Sequence, residues 1–316
     1  MQLKLTADNV LAFLLILVGA IWIALARPLT IDLLVYAEWL TDLDAYQFDA
    51  GFVAFGRMVR LITDNVRVLV FLVSVALQVA VLRCCLIFFP GVLRFAFVLA
   101  GITAYWHVSL SSNVIRNGLA IALAALILSG TWSNYRVRLV ISFIVSILVH
   151  WASFIYFFVL SVARSQAGLR FRSIVLLLCL GGGIAYVGFN FFDFGGKLAV
   201  YGSTELYASD RSSQVPRFAA QVCFGLAALF FGIAPASLRR PLWAAMVVLV
   251  VLLPFPEAFS RLSVLTGILL HVVYFGWLLS CPYFSSPLKL SVTLMAMMVQ
   301  VFHPSTLTLL GWSGGN

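Results

Sequence analysis

The chain alternates long apolar runs with short polar interruptions. Apolar runs at 9–26, 67–86, 91–109, 114–129, 174–192, 218–234, 262–280 and 288–308 have about the 20 residues, or somewhat fewer, that a helix needs to cross a hydrocarbon layer. Two segments fit less simply. Residues 139–163 are apolar throughout but carry His150-Trp151 at their middle, and residues 242–253, bracketed by Pro241, Pro254 and Pro256, have the length of a half-span. The pattern predicts an all-α polytopic membrane protein of about 9–11 transmembrane or half-spanning helices.

Direction follows from the arginines. Arg83 to Arg94, Arg136 with Arg138, Arg164 to Arg172, and Arg239-Arg240 occupy short loops, which the positive-inside rule places together in the cytoplasm. If 139–163 crossed once, the last two of these loops would be stranded outside. Breaking the segment at His150 into a re-entrant or tight hairpin restores agreement. Non-helical backbone at membrane depth is tolerated only where protein or a water-filled cavity lines it, so the His150 tip is expected to mark a cavity.

The same count leaves two polar loops, 27–65 and 193–217, on the exterior. The first holds Asp32, Glu38, Asp42, Asp44, Asp49 and Asp64, six of the eleven acids. Within it Phe52, Phe55, Met58, Val59 and Ile62 follow a helical period while Arg57, Arg60 and Asp64 face elsewhere, which predicts a helix lying in the interface. The second, with Gly195-Gly196, Ser203, Ser212 and Ser213, reads as a mobile loop covering the site.

Composition narrows the class. Of 316 residues, 63% are hydrophobic and 10% charged, against roughly 45–50% and about 25% in soluble domains. With a mean hydropathy of +1.08, the chain 1–316 reads as one integral membrane domain with no room for an extramembrane catalytic unit. The net charge of +9 is scattered among apolar residues, so nucleic acid is not an expected partner. Cys84, Cys85, Cys179, Cys223 and Cys281 sit in or beside apolar runs and read as packing residues. Ala24-Leu25-Ala26 imitates a signal-peptidase site, but the single charge before it favours an uncleaved first span. There is no nucleotide-binding motif, no HExxH, no GxSxG and no metal-ligand set, so no cofactor or metal is expected.

Several residues could carry chemistry. Arg116 opens a span on the outer side, where a charge needs a partner or an anionic ligand; with the amides of 112–116 it suits a phosphate, and it equally suits an arginine snorkelling to headgroups. His150, with Ser153 one turn on, is a candidate base or sugar ligand, or a buried imidazole on a backbone carbonyl. Asp32, at the end of the first span, is a base, a sugar ligand or a solvated flanking charge. Arg211, Arg217 and Arg261 complete a cationic outer rim with Arg116, although Glu257 can pair with Arg261.

These residues carry a resemblance. Arg27 with Asp32 and Tyr36, then Asp49-Ala50-Gly51-Phe52, then Ser111-x-Asn113-x-Ile115-Arg116-Asn117-Gly118-Leu119-Ala120, then His150-x-x-Ser153 resemble, over about residues 20–165, the EpsG family of Wzy-type bacterial polysaccharide polymerases. Asn117 stands where that family more often has Gln, and Ala50 where it more often has Glu; Asp49 receives no role. The resemblance implies a multi-pass protein of the bacterial inner membrane that transfers a growing glycan from undecaprenyl pyrophosphate to another lipid-linked repeat unit at the outer face. It implies Asp32 or His150 as catalytic base. Arg116, Arg211, Arg217 and Arg261 would bind pyrophosphate, with Tyr36, Asn113, Asn117 and Ser153 as supporting polar groups. The transfer would be metal-independent, with membrane lipids, a flippase and chain-length regulators as partners. A membrane acyltransferase using His150 near Ser153, and a secondary transporter, are the competing classes.

Overall fold

A computed structural model of the chain describes residues 6–26, 31–89, 92–112, 114–131, 133–150, 153, 211–252 and 256–301. Among them are twelve helices and no strand: α1 Ala7–Ala26, α2 Ile31–Thr41, α3 Ala50–Arg60, α4 Val66–Phe88, α5 Arg94–Ile102, α6 Tyr105–Ser112, α7 Ile115–Ser129, α8 Tyr135–Val149, α9 Arg211–Phe230, α10 Ala236–Leu252, α11 Pro256–Ser280 and α12 Ser286–Val301. Ala7–Ala26, Val66–Ile87 and Ser263–Ser280 are each long and apolar enough to cross a membrane. The protein is an all-helical, polytopic membrane protein.

The arrangement follows from which faces are apolar. α4 packs between α1 and α7, and α7 packs on α8; α11 joins α9, α10 and α12 to the α5–α6 pair. One core cluster holds Ile23 and Ala24 of α1, Val66, Leu69 and Val70 of α4, Ile115 of α7 and Val149 of α8. The end of α1, the start of α4, the start of α7 and the end of α8 therefore meet at one end of the bundle, where α2 and α3 also pack. At the other end Arg138 donates to the Leu128 carbonyl at 3.2 Å and Arg83 to that of Ser129 at 3.5 Å. Arg94 ties α5 to Thr6 and Asn9. These arginines satisfy carbonyls and side chains that a helix end leaves unpaired in lipid.

The structure corrects several boundaries. The run expected as one span over 91–109 is two helices, α5 and α6, bent by 65° at a short break. Thr103 and Ala104 leave the helix there, and the His107 imidazole compensates by donating to the Ile102 carbonyl at 3.0 Å while accepting from the Ser74 hydroxyl at 2.9 Å. The half-span expected at 242–253 is the end of α10, which begins at Ala236 and runs through Pro241; that proline lies past the first turn and leaves the Ser237 carbonyl without its helical N–H partner.

Of the exterior loop expected at 193–217, residues 211–217 are the first turns of α9, with Pro216 inside it, and the remainder lies outside the described residues. α8 ends at His150, whose backbone is extended (φ −160°, ψ 111°); the second leg of the expected hairpin, from 154 on, and the span at 174–192 lie outside them too. The interface helix over 52–62 exists as α3, but its buried face is Phe52, Gly56 and Val59, while Met58 and Ile62 are exposed. At 100° per residue Met58 falls on the far side from Phe52.

Candidate functional site

Asp49 stands at the start of α3, in the position where an aspartate ordinarily caps the helix with its side chain. Here it makes no such bond. Its carboxylate turns to the bundle instead: Oδ2 accepts from Arg116 Nη1 at 3.2 Å and lies 3.3 Å from His150 Nδ1. One carboxylate oxygen thus joins two residues that are 67 and 101 positions away in the chain.

Two glycines make the meeting possible. A Cβ on Gly51 would fall 2.8 Å from the carbonyl carbon of Leu148, so only glycine lets the start of α3 lie against the end of α8, where His150 follows. A Cβ on Gly118 would fall 2.1 Å from the Leu110 oxygen, so glycine also permits the tight return of α7 on α6. That return places Arg116 in the first turn of α7.

Arg116 and His150 line a cavity of about 110 Å³ together with Asp32, Tyr36, Phe48 and Asn117, and Asp49 holds both of them. Asp32 lies in the first turn of α2, where a carboxylate complements the helix dipole. Tyr36 follows one turn later on the same face, its ring against Phe48 and Phe52 at centroid distances of 5.6 and 5.7 Å. Trp39 stacks on Phe52 at 4.8 Å. This aromatic floor holds α2 and α3 to the bundle, and the Arg116 guanidinium sits 4.7 Å above the Phe48 ring, a cation–π contact. The loop between α2 and α3 is tied by Tyr46, whose hydroxyl donates to Glu38 Oε2 at 2.6 Å. That carboxylate raises the phenol above its ordinary value.

Electrostatically the site is a carboxylate shared by a guanidinium and an imidazole in a partly solvated pocket. The Arg116, Asp49 and His150 side chains are 26%, 17% and 8% exposed. An N–H of His150 held by a carboxylate fixes the ring's tautomer and leaves Nε2 as the basic nitrogen. Arg116 has five donors, of which Nη1 is committed to Asp49. Asn117, one residue on, is 4% exposed and its Oδ1 has no hydrogen-bond partner among the described residues: an acceptor on the cavity wall awaiting a donor. The arrangement can bind an anion, orient a hydroxyl and take up a proton.

The structure therefore brings together Asp32, Tyr36, Arg116, Asn117 and His150, and adds Asp49 and Phe48, which had no role assigned from their spacing. Asp49 belongs to the Asp49-Ala50-Gly51-Phe52 stretch that carries the resemblance, but an aspartate at a helix start reads equally as an ordinary cap. Ser153 is not gathered into the cavity. It is buried and its hydroxyl donates to the Ser146 carbonyl at 2.7 Å. Ser111 and Ser112 likewise donate back to the His107 and Val108 carbonyls at 2.6 Å. Arg211 and Arg217 belong to α9 and Arg261 to α11, but their side chains, like all of Asn113, lie outside the described residues. The sequence model of the EpsG family matches residues 9–304 of the chain. No curated protein and no solved structure matches it.

Proposed function

The chain belongs to the EpsG family, and on that premise we propose that it polymerises lipid-linked oligosaccharide repeat units at the outer face of the bacterial inner membrane. It moves a growing glycan from undecaprenyl pyrophosphate to a hydroxyl of another lipid-linked unit. The observation that carries this reading is the Asp49 carboxylate shared by Arg116 and His150 beside Asp32.

In such a transfer the acceptor oxygen bonds to the anomeric carbon as the bond from that carbon to the diphosphate oxygen breaks. The electron pair leaves with the diphosphate, and the acceptor proton goes to a base. Arg116 turns its remaining donors on the leaving diphosphate, whose charge grows in the transition state. His150, oriented by Asp49, takes the acceptor proton on Nε2. Asp32 and Asn117, which line the same cavity, hold sugar hydroxyls. Arg211, Arg217 and Arg261 would extend the cationic surface toward the diphosphate.

The burial of the Ser153 hydroxyl on a backbone carbonyl supports this reading over acyl transfer, which would require that serine to be presented to His150 as a nucleophile. The test is the length of surface glycan in a strain lacking the protein, complemented with wild type or Arg116→Ala. Single repeat units without long polymer are expected for the variant and for the deletion. Normal-length polymer in the strain without the protein would overturn the assignment.

A further inference from the structure

A second cavity, of about 460 Å³, lies between α6, α9, α11 and the end of α12. It shares no lining residue with the cavity lined by Arg116 and His150. The two sit at opposite ends of α6, whose eight residues span about 12 Å. Its wall is largely apolar, with Val264, Leu270 and Phe275 among the lining residues. Its rim includes Phe224 and Val299, which are 56% and 64% exposed, beside α11, a helix long and apolar enough to cross a membrane. The mouth therefore opens sideways, toward lipid.

Three polar atoms on the wall are buried and without a hydrogen-bond partner among the described residues: Trp106 Nε1, His271 Nε2 and Gln221 Oε1. Trp106 and His271 are 4% and 6% exposed, with ring centroids 5.5 Å apart. Gln221 donates through its amide nitrogen to the Ser263 carbonyl at 2.9 Å, which identifies the other amide atom as the oxygen. Unmet polar groups in a hydrocarbon setting are costly. Water could meet these atoms, so a ligand that displaces it must itself both donate and accept.

The polarity of these atoms defines what would satisfy them. An indole N–H only donates and an amide oxygen only accepts; the His271 ring donates to the Phe97 backbone carbonyl, which leaves Nε2 as an acceptor, and a hydroxyl both donates and accepts. A carbonyl or ether would leave Gln221 unmet, and an ammonium would leave Trp106 unmet. We propose that this cavity binds a lipid whose apolar chain carries a hydroxyl group. The hydroxyl accepts from Trp106 and donates its one proton to Gln221 or His271, and the chain leaves past Phe224 and Val299. Both a long-chain alcohol and a hydroxylated acyl chain have this chemistry.

The test is photolabelling of the full-length protein in phosphatidylcholine nanodiscs with three diazirine probes of equal length: hexadecanol, a 3-hydroxyhexadecanoyl phosphatidylcholine, and hexadecane. Peptide mass spectrometry should place the label from at least one hydroxyl probe on α6 and α11 near Trp106 and His271, with labelling by hexadecane weaker by roughly tenfold. The stronger of the two hydroxyl probes identifies the source. Trp106→Phe should cut labelling by the hydroxyl probe toward the hexadecane level. Gly267→Leu should block all labelling there, since a Cβ at Gly267 already reaches 3.6 Å from Trp106 Cβ and the rest of the side chain fills the cavity. Equal labelling by hexadecane, absence of label from every probe, or labelling unchanged by Trp106→Phe in protein that elutes and melts as wild type would each overturn the proposal.

Discussion

Gly51 lies so close to the backbone of Leu148 that a methyl group would stand 2.8 Å from its carbonyl carbon. The contact brings the start of α3 onto the end of α8, and Asp49 and His150 meet because of it. Gly51→Ala must push the two helix ends apart by several tenths of an ångström. Overpacking of this kind costs about 1–3 kcal/mol, and displacement of catalytic groups by about 1 Å lowers rates on the order of 10²-fold. Polymer formation should therefore fall sharply in a protein that still inserts, read by glycan length alongside the melting temperature in detergent. Full activity in Gly51→Ala would remove the contact from the argument.

Asp49 should matter for charge rather than shape. Asp49→Asn keeps the volume but loses the anion that holds both Arg116 and His150, and a wrongly set imidazole tautomer costs up to about 10⁴-fold where His is the base. The expected outcome is loss of long glycan with unchanged protein level. Asp49→Glu, which restores the charge one methylene further out, should recover part of the activity. If Asp49→Asn polymerises as wild type, the carboxylate has no part in the chemistry.

At Arg116 the fork is expected to count as well as the charge. Lysine cannot hold Asp49 and a diphosphate bidentately at once, so Arg116→Lys should lose on the order of 10²-fold in rate. An in vitro assay with purified lipid-linked repeat unit separates this from effects on export. A lysine variant as fast as wild type would reduce Arg116 to a point charge.

Ser74 and His107 give a prediction about stability alone. Ser74→Ala removes the donor at 2.9 Å from the buried His107 nitrogen where the bent α5–α6 pair is pinned. Hydrogen bonds between membrane helices are worth about 0.6–2 kcal/mol, so a small drop in melting temperature is expected with polymer length intact. A variant that melts as wild type would show that His107 finds another partner.

The two ends of the bundle should face opposite compartments. Cysteines placed singly at Thr63, between α3 and α4, and at Ser133, between α7 and α8, should react with a membrane-impermeant maleimide from opposite sides, Thr63 from the exterior. Labelling of both from one side would contradict the bundle, and labelling of Thr63 only from the cytoplasm would invert it.

The polytopic helical class was legible without coordinates, because burying apolar residues in lipid leaves helices as the available answer to unpaired backbone groups. So were the break at His150 and the helix-opening position of Arg116. Each is a local conflict between a polar residue and its apolar surroundings, and such conflicts are visible in a linear sequence. The break inside 91–109 was not, since hydropathy registers burial and is blind to a carbonyl satisfied by a histidine from its own segment and a serine on α4. Nor was the role of Asp49 legible. An aspartate before a helix satisfies the capping rule completely, and only the packing of α3 on α8, allowed by Gly51, turns that carboxylate from its own helix toward Arg116 and His150. Local spacing fixes which residues begin and end helices; which ends meet depends on backbone approach between distant segments.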